Sequence, residues 1–300
     1  MMSDRIPALG IDIGRSGVKL ACRTPKKQLH RTRIPKFVDY IDWGNDAEVV
    51  AGIRQWTKEE NLALEDSARV VLDATGAVEF ERVFTHDGLT VHLVGDVTMA
   101  ALSCGIRRDG LLMICGTGAA LVFFSGEAKR IMKAYGPVVG DQWGGLALGR
   151  MAVRYLLDHW VREEEPGPFE SSLAGHLEIT NRREYVHWLQ TSENHYGELG
   201  ELGGITVSMA GDGNLRARSL CEKMIGTMAR AVDEALSLGR LDSPVALGLQ
   251  GGMIEGSDYL RDALIKEVRK SEYEIEIRRP AAPLDVIALR EAEKALEAGD

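Results

Sequence analysis

Asp12 stands inside an otherwise apolar run, Ala8-Leu-Gly-Ile-Asp-Ile-Gly14. A buried carboxylate is costly without a partner. A hydrated Mg2+ bridging phosphates would serve, because magnesium takes one or two carboxylates and keeps several waters. Hydrogen bonds from its own hairpin turn are the alternative. Three glycine-centred turns follow apolar runs: Gly14-Arg15-Ser16-Gly17, Gly116-Thr117-Gly118 and Gly251-Gly252. Glycine permits positive φ and close approach of a ligand. Backbone amides exposed in such turns form nests for phosphate oxygens. Lys19 could touch phosphate or lie solvated on the second strand.

Three further carboxylates fall at turns. Asp96 follows an apolar run and precedes a helical pattern, so it either points into a cleft or caps the helix. Asp141 heads the glycine-rich stretch 140–145 and carries the same two readings. Asp73, in Asp73-Ala-Thr-Gly76, reads as structural or as a minor contact. Tyr135 and Trp143 flank Asp141. Aromatic rings beside carboxylates suit a sugar, whose C–H faces pack on rings; core packing explains them equally well.

The elements that must position these residues alternate strand and helix. Residues 7–14, 18–23 and 30–35 read as strands, the first two as a hairpin. Asn45-Asp46 reads as a helix start, with apolar spacing to Trp56. Strands follow at 68–73 and 89–94, then a short helix near 98–104. A second start resembles the first: a strand at 110–115, the Gly116 turn, and a returning strand at 120–124. That echo, with which both halves begin, is evidence for a duplicated fold. Helices are expected at 146–160, 170–190, 214–238 and 257–270. Strands are expected at 245–249 and at 273–278, the latter near a sheet edge because its charges alternate. A closing helix falls at about 284–297. The pattern is α/β.

Composition narrows the function classes. The 300 residues are 45% hydrophobic, 27% charged and 6% aromatic, which are globular values. At about 150 residues per domain the length suggests two lobes. Net charge is −9 and pI about 5.4, which argues against non-specific nucleic-acid or acidic-membrane binding. Cys22, Cys104, Cys115 and Cys221 have apolar neighbours and form no CxxC pair, so they read as small core residues. No histidine pattern suggests zinc, and Walker A and GxGxxG fingerprints are absent. There is no signal-peptide pattern and no apolar run near 18 residues. A cytoplasmic protein is the expectation.

Read in order, the motifs resemble a known superfamily. They are Asp12-Ile-Gly-Arg-Ser-Gly17, Gly95-Asp96, Gly116-Thr-Gly118, Gly136-Pro-Val-Val-Gly140-Asp141, Gly211-Asp-Gly-Asn214 before a long helix, and Leu249-Gln-Gly-Gly252. The chain looks like the actin-like ATPase and sugar kinase superfamily. Within it, it is most similar to the N-acetylglucosamine kinase and BadF/BadG/BcrA ATPase group, from residue 9 to the last helix. The resemblance implies two ribonuclease-H-like lobes with an interlobe cleft, over 1–105 and 106–300. The last helix would pack back on the N-terminal lobe. It implies ATP and Mg2+, with Gly14, Arg15, Ser16, Gly17, Lys19, Gly116, Thr117 and Gly118 at the phosphates and Gly251 and Gly252 at adenosine. Asp96 would be the general base. Asn45, Thr117, Gly118, Tyr135 and Asp141 would contact the sugar, and Asp12 would serve the metal. The chain departs from the group at Gln142, where an acidic residue is usual.

The leading expectation is therefore an ATP-dependent kinase of an amino sugar or related hexose, possible as a homodimer. The alternatives are a BadF/BcrA-type ATPase driving a protein partner, a filament-forming plasmid-type actin, and a degenerate nucleotide-binding regulator.

Overall fold

The computed structural model describes residues 5–14, 17–24, 26–34, 41–74, 80–126, 128–239, 241 and 243–299. The chain divides into two compact units, 1–105 with 280–300, and 106–279.

The first unit is built on β1 (Ile6–Gly14), β2 (Gly17–Arg23), β3 (Leu29–Ile34), α1 (Asp46–Glu59), β4 (Leu64–Ala74), β5 (Arg82–His86), β6 (Leu89–Gly95) and α2 (Asp96–Ser103). Its six-stranded sheet has the order β3-β2-β1-β4-β6-β5. β1, β4 and β6 run parallel, so their carboxyl ends share one edge; β2, β3 and β5 are antiparallel additions. One face buries Leu9, Ile11, Leu20, Leu72 and Leu93 against Val49, Ile53 and Trp56 of α1. Alternation sends Ala8, Ala21 and Val71 to the other face.

The second unit contains β7 (Gly110–Cys115), β8 (Ala119–Ser125), β9 (Ala128–Lys133), α3 (Gly136–Val139), α4 (Gly145–Val161), α5 (Pro168–His176), α6 (Arg182–Thr191), α7 (His195–Gly211), α8 (Leu215–Leu238), β10 (Val245–Gln250), α9 (Gly252–Glu255), α10 (Asp258–Val268) and β11 (Ile275–Arg278). Its sheet order is β11-β10-β7-β8-β9. The meander β7-β8-β9 repeats the β1-β2-β3 plan, and β10 and β11 lie parallel to β7. The charged last strand does occupy an edge.

The closing helix α11 (Leu284–Ala298) belongs to the first unit. It lies so close on β1 that a Cβ on Gly10 would fall 2.2 Å from Asp285 O and Leu289 N. Its buried Asp285 receives both guanidinium arms of Arg31 from β3, at 2.7 and 2.8 Å. This two-pronged geometry is what a buried carboxylate requires.

The structure corrects several expectations. Both β5 and β9 are strands that the sequence pattern does not disclose; both are edge strands with largely exposed residues, so neither carries a buried apolar face. The single helix expected over 170–190 is two, α5 and α6. They are separated where Glu178 takes φ +53, and α6 restarts on Asn181, whose side chain caps two amides. Helix α7 lies where the sequence pattern predicts no element. Its segment contains Gly197, Gly200, Gly203, Gly204 and Gly211, which lower helix propensity. One of them serves packing against α4: a Cβ on Gly203 would lie 2.3 Å from Gly145 O. On α4, a Cβ on Gly149 would lie 1.9 Å from Leu199 O.

Candidate functional site

Asp12, Gly14, Asp73 and Asp96 lie at or just beyond the shared carboxyl edge of β1, β4 and β6. Register places Arg33, Lys19, Asp12, Asp73 and Val94 in one row across β3, β2, β1, β4 and β6. Side chains at paired positions stand on one face. That face is the one α11 covers, since Gly10 precedes Asp12 by two residues.

Asp12 is buried and its Oδ2 accepts from Lys19 Nζ at 2.5 Å. Among the described residues its partner is the strand-two lysine. Gly14 and Gly17 are paired across the end of the β1–β2 hairpin, with Gly17 at φ +127. Arg15 and Ser16 lie outside the described residues.

Asp73 is 1% exposed, and its Oδ1 has no hydrogen-bond partner among the described residues. Burial pushes its carboxyl well above the usual range; the charges of Asp12 and Asp96 push the same way, and Lys19 opposes them. Sequence reasoning gives Asp73 a structural or minor role. Its signal is present all the same, as a carboxylate within an apolar strand like Asp12.

Asp96 is not the cap of its helix. Gly95 is the N-cap, and Asp96 is the first helical residue, its Oδ1 accepting the Val97 amide at 2.9 Å. The acid favours the positive end of the helix dipole. Glu81, to which no motif points, fixes this corner: its Oε1 accepts the Gly95 amide at 2.9 Å and the Thr98 hydroxyl at 2.7 Å. Asn45 caps α1, accepting from the Ala47 and Glu48 amides, while its Nδ2 donates to Glu48 Oε1. Both ends of that side chain are engaged in starting the helix.

The second unit joins its glycine turns. Gly116-Thr117-Gly118 links β7 to β8, and the Gly116 amide donates to Gly118 O. Helix α4 begins on this turn, with the Gly145 and Leu146 amides donating to Gly116 O and Thr117 O. Gly144, at φ +88, leaves no room for a Cβ, which would sit 2.6 Å from Gly118 O. Gly251, at φ +113, abuts the end of β7, where a Cβ would lie 2.6 Å from the Cys115 carbonyl carbon. Gly251-Gly252 and Gly116-Thr117-Gly118 are therefore neighbours at the ends of the adjacent parallel strands β10 and β7.

Asp141 binds this assembly to the next loop. Its Oδ2 accepts the Ala119 amide at 3.1 Å; its Oδ1 accepts those of Tyr135 and Gly136 at 2.9 and 2.8 Å. Arg150 from α4 donates to Pro137 O in the same loop. Tyr135 is exposed, whereas Trp143 is fully buried and donates to Ile114 O, so Trp143 is a core residue. All four cysteines are buried and unbridged. Burial pushes the Cys115 and Cys221 thiols up to about 12, which makes them poor nucleophiles at neutral pH.

No family model matches the chain. A curated protein, the N-acetylmuramic acid/N-acetylglucosamine kinase of Clostridium acetobutylicum, is 24% identical over 171 residues. That match spans 55% of this chain and 55% of the curated protein, about half the length of each. Among solved structures, a proposed N-acetylglucosamine kinase from Chromobacterium violaceum superposes with a TM-score of 0.69 at 18% identity, over 96% of this chain and 99% of that one. A second, from Porphyromonas gingivalis, gives 0.64 at 14% identity over 95% and 99%. A ROK family glucokinase from Streptomyces griseus, solved with glucose and AMPPNP, gives 0.54 at 15% identity over 96% and 99%.

The fold is the one these solved structures share, with two sheets of six and five strands and flanking helices. The similar proteins are N-acetylglucosamine kinases and ROK family members, which bears out the resemblance read from the motifs.

Proposed function

We propose that the chain is an ATP-dependent kinase that phosphorylates a hydroxyl of an amino sugar or related hexose. The observation that carries this reading is the placement of Asp96 at the head of α2, at the same strand edge as Asp12. Phosphoryl transfer needs an aligned hydroxyl, a base and charge neutralisation, and little covalent chemistry from the protein.

In this reading Asp96 accepts the proton of the sugar hydroxyl. The hydroxyl oxygen forms a bond to the γ-phosphorus, the bond from that phosphorus to the bridging oxygen breaks, and ADP leaves. Glu81 holds the base by fixing the Gly95 amide and Thr98. The turns at 14–17 and 116–118 take the phosphates, with Lys19 nearby, and Gly251-Gly252 takes adenosine. Thr117, Gly118, Tyr135 and Asp141 serve the sugar, Asp141 chiefly by holding backbone. Asn45 contributes only through the helix it caps. The names of the similar proteins support the substrate class: one acts on N-acetylmuramic acid and N-acetylglucosamine, another was solved with glucose and AMPPNP.

The residues fit Mg2+. No cluster of three metal-ligating side chains lies together among the described residues. Magnesium beside a nucleotide needs only one or two carboxylates, and Asp12 stands beside an orphaned buried carboxylate oxygen on Asp73. Bound there, the ion would offset phosphate charge.

Sugar-stimulated ADP release from Mg-ATP, measured for the wild type and for Asp96→Asn, tests the reading. Stimulation by a sugar, lost in the variant, is the expected result.

A further inference from the structure

Asp73 is a buried acid of the first unit with one oxygen left without a partner among the described residues. A carboxylate fully removed from water ordinarily has a cation or several donors around it. Asp285, the comparable buried acid under the same sheet, has both arms of Arg31. Glu170 in the second unit has Tyr155, Arg216 and the Gly167 amide. Asp73 has nothing on Oδ1 among the described residues.

Its neighbourhood is also lopsided. Register sets Asp73 directly beside Asp12 on the same face. Paired Cα atoms on neighbouring strands lie about 5 Å apart, so two carboxylates stand side by side. Lys19 reaches Oδ2 of Asp12 and so offsets one of the two charges. The other carboxyl has no partner on Oδ1 among the described residues. The pair stands at the carboxyl ends of parallel strands, where open α/β sheets collect ligands.

We infer that Asp73 and Asp12 together hold the divalent cation, so that the metal site is a paired-carboxylate site with Asp73 as its second member. This rests on the kinase reading only in assigning the ion to Asp12. It makes a separate claim about a residue in a different strand. Two hard oxygen donors on rigid, adjacent strands suit magnesium, which completes its shell with water and phosphate. Manganese takes the same ligands and supplies a paramagnetic signal.

The test is Mn2+ binding to the full chain, followed by electron paramagnetic resonance, with Mn2+ as the only added ligand and again with a non-hydrolysable ATP analogue. Asp73→Asn, Asp12→Asn and wild type are compared. Asp73→Ser is a second variant of smaller size, should the amide not be accommodated. Thermal melting in metal-free buffer and in Mn2+ is recorded beside each titration. The expected result is a loss of at least tenfold in Mn2+ affinity in both Asp73 variants and in Asp12→Asn. The Mn2+-dependent rise in melting temperature should disappear with it. Wild-type affinity in Asp73→Asn, with loss confined to Asp12→Asn, would overturn this inference and leave the assignment of Asp12 standing. Wild-type affinity in all variants would overturn the metal assignment of the site itself.

Discussion

Asp141 Oδ2 accepts the amide of Ala119 at 3.1 Å, across a sequence separation of 22 residues. The same carboxylate takes the Tyr135 and Gly136 amides through Oδ1. One side chain therefore fixes the turn proposed for the phosphates and the loop proposed for the sugar. Asp141→Ala removes three charge-assisted bonds, each worth about 1.5–3 kcal/mol when buried and less where water reaches it. The expected outcome is a loss of about 2 kcal/mol of stability with a rise in KM for both substrates. Urea unfolding and steady-state kinetics check it. A change in sugar KM alone would show that Asp141 touches sugar rather than backbone.

Lys19 and Asp12 form a pair in which the carboxylate is buried and the lysine reaches solvent. Lys19→Met strands the acid and should cost about 1–3 kcal/mol. In the double variant with Asp12→Asn most of that loss should be recovered, because no charge is left without a partner. A double-mutant cycle by chemical denaturation measures the difference. Additive losses would mean that the two residues do not interact.

Gly251 combines φ +113 with a Cβ position 2.6 Å from the end of β7. Gly251→Ala must strain the backbone and push the two turns apart, at a cost of about 1–3 kcal/mol. Nucleotide affinity should fall with it, whereas Gly175→Ala, which meets no atom within 4 Å and has no positive φ, should leave affinity unchanged. Calorimetric titration with an ATP analogue checks both.

Glu170 joins α5 to α8 through Arg216 and also accepts the Tyr155 hydroxyl at 2.6 Å. Burial alone would raise its carboxyl, but the bonds from Tyr155 and Arg216 outweigh it and hold the group below its ordinary value of 4.5. A carboxyl lowered on folding stabilises the fold fully above its unfolded value, and that contribution is lost as pH falls through the folded value. Glu170→Gln should therefore cost about 2 kcal/mol at pH 7. The gap from wild type should narrow as pH falls below the ordinary value of 4.5. Denaturation at pH 7, 5 and 3.5 checks the trend, and a constant gap would contradict it.

Much of this arrangement is legible in the sequence. Asp12 stands out because a charge inside an apolar strand must find a partner. The glycines at 14, 116 and 251 stand out because each ends an apolar run where the backbone has to turn. Asp96 stands out by position, although its helix begins one residue earlier than a capping role would need. The rest depends on tertiary context. Helix α7 hides behind its glycines, and the purpose of one of them, the contact of Gly203 with α4, exists only in the folded unit. Edge strands β5 and β9 bury too little to leave an alternating pattern. Glu81 acts at a distance of 14 residues on the Gly95 amide, a link no local spacing encodes. Asp73 is visible as an acid in a strand. Its orphaned oxygen emerges only once β1 and β4 are set in register.

The central claim is phosphoryl transfer to a sugar with Asp96 as the base. The most direct measurement is ADP release from Mg-ATP across a panel of amino sugars and hexoses, for wild type and Asp96→Asn. The account predicts stimulation by at least one sugar and a fall in kcat of about 10²–10⁴-fold in the variant, with its melting temperature preserved because Asn can still accept the Val97 amide. Sugar-stimulated turnover that survives Asp96→Asn, or ATP binding with no stimulation by any sugar, would contradict it.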